Sequence, residues 1–442
     1  MTTVLLNMKN IVISFFSGIK DPCCENPIVC FYETIIESLR KSGNNVFVYI
    51  ASEFSGNFEE IPPDLLKELK EFNSDVFFLF NNNFFDISDK FDCPIVIWGV
   101  DAPMGYSNYE KLKKNSDRYK YIVYSERDVF FLVSKFFVQR NNILVSPVFT
   151  EIRAEDVEKR NNISFIGSKF IDLSVKTPWQ RFMEEDPEED EKSLYWRMVN
   201  YCRNDPYISK KDLFDLFSVQ SDLIKKQFNI SDVAFYLSDK NRVTVLASIA
   251  DLGLDLYGTP NWILDRYNEP DLISCYVKKH VYSLKHNQDV YNSTRIGINI
   301  NHVWARDGLP WRVCDIMASS ACLVSEYKDD LKKYFKNLKI PTFTNIYDAR
   351  SLCIKLLKNE NLRLDTVAAC NEVIDKSYRF RHARENIEDF LNIDLDGEGE
   401  GQVSYYRQEK KKKENKIKLK NRIRLYIYNK LHAKLKEKSL IE

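Results

Sequence analysis

The sequence predicts an α/β protein of two Rossmann-like domains facing a cleft, and three observations carry that expectation. Short apolar runs alternate with helical patterns through both halves, which implies mostly parallel sheets. At 442 residues and 44% hydrophobic, the chain can bury two ordinary cores. A polar, charged stretch from Phe149 to Asn162 separates the two series. The boundaries read as 1–150 for the first domain, 151–162 for a linker, 163–393 for the second domain, and 394–442 for a linker and a basic amphipathic tail.

In the first half, Ile11 to Phe16, Val46 to Ile50, Val76 to Phe80, Pro94 to Trp98, Tyr121 to Tyr124 and Ile143 to Val145 read as strands. Ile28 to Arg40 and Leu65 to Phe72 have helical spacing, and Gly43 suits the end of the former. The second half gives strands near Ile163, Leu254, Val281, Ile296 and Leu323, with helices near Leu194, Val243, Val313, Leu331 and Leu352. The acidic run from Glu184 to Glu191 is read as a solvated loop or a helix start. Asp394-Leu395-Asp396, beside Gly397, Gly399 and Gly401, is read as linker.

Composition narrows the function classes. No run of about 18 apolar residues occurs, so a membrane span is not expected, and the opening residues lack a secretory cleavage pattern. Ten cysteines without a repeated Cys-x-x-Cys spacing favour reduced, buried thiols and a cytoplasmic protein. Cys23, Cys24 and Cys30 have no histidine at ligand spacing, so no metal site is expected there.

Chemistry concentrates between Tyr291 and Tyr334. A strand, a polar loop and a helix from Trp311 to Ser320 place Asp307 and Asp315 at the loop-to-helix junction, with Pro310 at the helix start. The first turn's N–H groups and dipole favour a diphosphate, and Arg312 adds a fixed charge beside them. Asp315 is read as a ribose acceptor, a task that needs no metal. His302, in the preceding loop, is read either as a structural histidine or as a ligand contact. Asp101 follows a strand at the carboxyl edge of the first sheet. It is weighed evenly as a base that takes a proton from a bound hydroxyl and as a residue ordering the turn at Ala102-Pro103.

These residues resemble the glycosyltransferases of the GT-B type, and within them the CgeB-like (spore-maturation-protein) group. Asp307 and Asp315 with seven residues between them, Ala318-Ser319-Ser320 and the strand Cys322-Leu323-Val324-Ser325 are similar to the donor block of that type, with Asp in place of the usual Glu. The Arg312–Asp315 pair followed by Glu326-Tyr327 resembles the CgeB-like pattern. Trp98-Gly99-Val100-Asp101-Ala102-Pro103, Ile163-Ser164-Phe165-Ile166-Gly167-Ser168 and Leu254-Asp255-Leu256-Tyr257-Gly258 fall in that group's order. Departures are Ser319-Ser320, where many relatives have glycine, and a partial match at Tyr378-x-x-Arg381.

The resemblance implies a metal-independent, cofactor-free transfer of a sugar from a nucleotide-sugar to a glycan, glycolipid or glycoprotein in bacterial surface polysaccharide or glycoconjugate synthesis. Donor contacts are expected from Gly167, Ser168, Tyr257, Gly258, His302, Asp307, Arg312, Asp315 and Glu326, and catalysis from Asp101 and Arg312. The alternative of a different class is a catalytically inactive, membrane-associated scaffold of a glycan assembly complex. An epimerase or phosphorylase on the same fold is the weaker third.

The zero net charge hides an asymmetry. From Arg407 to Glu442 there are fourteen Lys or Arg and four Asp or Glu, and Leu419, Ile423, Tyr426, Ile427, Leu431 and Leu435 recur at helical spacing. The tail reads as a helix lying on an anionic membrane surface, peripheral on the inner face of the cytoplasmic membrane, or packed on the acidic body or a second subunit. Nucleic acid is not an expected partner, since no recognisable binding fold accompanies the tail.

Overall fold

The computed structural model describes residues 8–19, 21, 23–51, 61–82, 87, 89–101, 103, 106, 109–170, 176–205, 208–279, 281–303, 305 and 307–408. Two all-parallel sheets form the two domains. The first contains β1 (Asn10–Phe16), β2 (Asn45–Ala51), β3 (Val76–Phe80), β4 (Ile95–Trp98), β5 (Tyr119–Val123) and β6 (Ile143–Val145). The second contains β7 (Asn161–Ile166), β8 (Leu254–Tyr257), β9 (Thr294–Asn299), β10 (Cys322–Glu326) and β11 (Thr342–Phe343). A twelfth strand, β12 (Val403–Arg407), returns to the first sheet, giving the orders β12-β2-β1-β3-β4-β5-β6 and β11-β10-β9-β7-β8.

Continuous apolar runs explain the parallel strands, because both faces of each sheet are covered. Ile11, Ile13 and Phe15 of β1 pack with Ile35, Ile36 and Leu39 of the helix Cys30–Lys41 on one face; Val12 joins Leu65 and Leu69 on the other. In the second domain the helix Trp311–Ala318 buries Val313, Ile316 and Met317 against one face of the sheet. The acidic run proves to be a helix start: Glu188 and Glu191 form a reciprocal capping box on Glu189–Asn204.

Three features depart from the sequence reading. The described residues around Val281 form no strand. The Tyr282 carbonyl instead accepts the Cys30 N–H at 2.7 Å, and the Tyr282 hydroxyl bonds Asp21 at 2.7 Å, tying this segment across to the first domain. Between β7 and β8 stands a helical insertion with its own apolar core of Phe182, Tyr195, Met198, Leu213 and Phe228. The glycine-bearing stretch read as linker is anchored: Asn44 donates to the Leu395 carbonyl at 2.6 Å and Gly397 N–H to the Ser42 carbonyl at 2.6 Å. It leads into β12, whose Val403 and Arg407 register with Val46 and Ile50. The amphipathic stretch expected from Leu419 to Leu435 lies outside the described residues. No helix among the described residues is long and apolar enough to cross a membrane.

Candidate functional site

The carboxyl ends of β4 and β5 face the carboxyl end of β9, and the loops beyond them enclose a cavity of about 710 Å³ between the two sheets. Open α/β sheets bind ligands at such crevices. The first domain contributes Asp101, Tyr124, Ser125, Arg127 and Asp128; the second contributes Asn301, His302, Asp307, Trp311 and Arg312. Ile208, Ser209, Ile230, Ser231 and Arg242 of the helical insertion close a third side.

Trp311 fixes one edge. Its ring lies 5.0 Å from Phe31, 5.6 Å from Tyr124 and 4.8 Å from Phe149, so the first residue of the second domain's helix packs on the first domain. Pro310 occupies the N-cap of that helix, and no side chain caps it.

Arg312 points from this helix beneath the end of β7. Its Nε donates to the Ile166 carbonyl at 2.8 Å and its Nη1 to Asn299 Oδ1 at 3.2 Å. Arg242, 4% exposed, approaches from the helix Ile230–Ala247 and donates to the Ser168 carbonyl. The two guanidiniums flank one ring: Arg312 lies 4.9 Å and Arg242 5.1 Å from Phe165, and Arg242 also sits 3.9 Å over Phe170. Burial, then the neighbouring Arg312 charge, pushes Arg242 down to about 9, and burial also lowers Arg312. Two cations sharing one cavity wall favour a polyanion there. The Arg242 Nε is buried without a hydrogen-bond partner, among the described residues.

His302 stands edge-on to Phe170 at 4.6 Å and Phe235 at 5.0 Å. Burial, then Arg242, lowers it to about 4, so at neutral pH the imidazole is uncharged and can polarise or accept without adding a cation. Glu326 shapes the same loop, accepting the Asn301 N–H at 2.8 Å and the Asn241 amide at 2.9 Å, while burial raises its carboxyl.

Gly167 and Gly258 form a backbone contact under this wall. Gly167 N–H donates to the Tyr257 carbonyl and its own carbonyl accepts Trp262 Nε1, both at 2.9 Å. A Cβ on Gly258 would overlap that carbonyl and stand 2.7 Å from Trp262 Nε1. Gly258→Ala is therefore expected to destabilise the second domain by about 1–3 kcal/mol. Denaturant unfolding checks this, and an unchanged midpoint would show that the turn can yield.

Asp101 faces the cavity from the turn after β4. Asn81 organises that turn: its Oδ1 accepts the N–H groups of Val100 at 2.9 Å and Asp101 at 3.0 Å, and its Nδ2 donates to Asp101 Oδ2 at 2.8 Å. Asp101 is exposed to the cleft, yet partial desolvation there raises its carboxyl above its ordinary value, with the Asn81 bond acting in the opposite sense. Asp307 reaches the same cavity, next to Gly308 at φ +80°.

The structure thus gathers Asp101, His302, Asp307 and Arg312 around one cavity, with Gly167, Ser168, Gly258 and Glu326 supporting its walls. Tyr257 and Asp315 stand apart from the described lining residues. Tyr257 is 6% exposed within the core, its hydroxyl 3.3 Å from Asp255. Asp315 is 8% exposed and accepts the Thr150 hydroxyl at 2.7 Å, and burial pushes its carboxyl up to about 7. Arg242 is a site residue the sequence reading missed, as it missed Tyr124, Arg127 and Asp128 of the lining; its one local signal is a lone arginine on the apolar side of a helix, between Leu237 and Leu246.

Residues 242–389 match the family model described as glycosyl transferase-like. No curated protein is significantly similar to the chain. Among solved structures, sucrose-phosphate synthase from Thermosynechococcus elongatus is similar with a TM-score of 0.51 at 8% identity, over 86% of this chain and 98% of that one. HepE of Anabaena, solved with UDP and glucose, gives 0.44 at 9% identity over 87% and 100% of the two chains. The T4 phage BGT, solved with UDP and Mn²⁺, gives 0.45 at 11% over 87% and 99%. Identities this low speak to fold alone. The chain has the fold of the GT-B glycosyltransferases, and its second domain carries the glycosyl transferase-like sequence.

Proposed function

We propose that the chain transfers a sugar from a nucleotide-sugar donor to an acceptor bound in the same cleft, as a member of the CgeB-like group acting in bacterial surface polysaccharide or glycoconjugate synthesis. The observation that carries this reading is the pair of guanidiniums, Arg242 and Arg312, sharing the wall of an interdomain cavity. A diphosphate there relieves their mutual repulsion, and the preorganised charge stabilises the departing nucleotide as negative charge develops on it. The helix end at Pro310–Arg312 supplies further positive potential. Asp101, across the cavity, is the proposed base for the acceptor hydroxyl. Asp315 is buried beside Thr150 and apart from the described cavity lining, so this geometry supports a diphosphate contact better than a ribose one.

A panel of nucleoside diphosphates and nucleotide-sugars in thermal shift tests the assignment, since a ligand of the folded state raises stability by mass action. No shift with any of them at millimolar concentration removes it. An inactive scaffold would bind nucleotide yet neither hydrolyse nor transfer the sugar. With two arginines and a helix end meeting the diphosphate charge, transfer is expected to persist in excess EDTA. Complete loss in chelator, restored by magnesium or manganese, would overturn the metal-independent mechanism.

A further inference from the structure

The first domain carries an apolar face that neither its core nor the cleft accounts for. The helix Glu126–Phe136 buries Val129, Leu132 and Phe136, yet leaves Phe130 73%, Val133 40% and the following Phe137 67% exposed. Phe130 and Val133 lie about 60° apart on a helical projection, on the outward side, and the exposed Phe137 follows as the left-handed cap that ends the same helix. Exposed aromatic side chains grouped in this way mark an interaction surface.

Two observations identify what the face meets. Its flank is cationic: Lys111, Lys113 and Lys114 lie on the neighbouring helix Tyr109–Lys114, Lys135 lies on the same helix, and Lys113 Nζ sits 5.6 Å from the Phe137 ring. Over residues 109–137 there are seven Lys or Arg and four Asp or Glu. Two of those acids, Glu126 and Asp128, stand in the helix's first turn, away from Phe137. An apolar stripe edged by lysines suits the headgroup boundary of an anionic leaflet, where rings enter the acyl region and ammonium groups remain among phosphates. The face is also continuous with the cavity, because Arg127 and Phe131, one step around the same helix, line it. The same lining also carries the apolar Val100, Pro103, Ile208 and Ile230.

We infer that the face Phe130–Val133–Phe137, with its flanking lysines, docks on an anionic lipid bilayer and so presents the cavity mouth to an acceptor with an apolar anchor. In tying the face to acceptor delivery, the inference rests on the transferase reading above. It is separate from the tail, whose residues lie beyond the described chain.

The test uses the full chain with vesicles of phosphatidylcholine alone and of phosphatidylcholine with phosphatidylglycerol. Phe130→Trp places an indole in the stripe. Its added fluorescence, relative to the parent chain, is expected to be quenched by brominated acyl chains in the anionic vesicles. Phe130→Asp with Phe137→Asp is expected to lower the partition coefficient at least about tenfold. Lys113→Glu with Lys114→Glu should weaken binding mainly at low salt. An unchanged far-ultraviolet circular dichroism spectrum and melting temperature in each variant shows that the fold survives. Co-sedimentation without quenching of the introduced indole would assign binding to the tail and overturn the inference. So would a parent dimer that the double aspartate variant converts to monomer, because the occupant would then be a second copy. Quenching in a chain that binds no nucleotide would sink the transferase reading and leave the docking face standing.

Discussion

Asp101→Asn is expected to leave nucleotide affinity and the melting temperature unchanged while lowering transfer by roughly 10²- to 10⁴-fold, the usual contribution of a positioned general base. The substitution preserves shape. The turn should survive it, because Asn81, not the Asp101 carboxylate, accepts the amide protons of Val100 and Asp101. Although Asp101 is exposed to the cleft, partial desolvation there raises its carboxyl above its ordinary value, so transfer should decline as pH falls through that raised pKa, where the base becomes protonated. The asparagine variant should lose the acidic limb altogether. Full activity in the variant, or an acidic limb that persists in it, would return Asp101 to the role of a turn residue. A variant that melts early would point the same way.

Much of the scaffold around Asp101 was legible because its signals are local. β3 matches the run Val76 to Phe80, since both faces of this interior parallel strand are buried and the apolar stretch itself marks the element; the edge strand β6 matches Ile143 to Val145 although Leu144 and Val145 are only half-buried. The helix beginning at Trp311 was legible from Pro310 and the spacing of Val313, Ile316 and Met317.

What remained hidden depends on contacts remote in sequence. β12 is five residues whose partner lies some 350 positions earlier, and its Val403, Tyr405 and Tyr406 are obscured between glycines and a lysine run. Val281 has strand-like neighbours, but its segment is recruited by Cys30 and Asp21 of the other domain. Arg242 differs from any helical arginine only in what surrounds it: Phe165 and Phe170 from one strand and its turn, Ser168 beside them, and Arg312 from a helix seventy residues on. Spacing along the chain reports which face of a helix a residue occupies. It does not report that this face meets a cavity.

That placement makes Arg242 the sharper test of the donor site. Arg242→Gln and Arg312→Gln are each expected to lower affinity for a nucleoside diphosphate by about one to two decades, the loss of a charge-assisted contact worth roughly 1.5–3 kcal/mol. Affinity for the parent nucleoside, which carries no phosphate, should barely change. Stability without ligand should respond less, for two opposing reasons. Each glutamine gives up hydrogen bonds to carbonyl or amide oxygens, at Ser168 for Arg242 and at Ile166 and Asn299 for Arg312. It also removes one of two like charges that burial holds together. The double variant should lose less affinity than the two single losses combined, because both guanidiniums meet the same diphosphate. Calorimetry with the diphosphate and the nucleoside, on all four proteins, reads these outcomes directly. If the ratio of diphosphate to nucleoside affinity is the same in the parent and both single variants, the two arginines are structural and the donor's charge is met elsewhere in the cleft.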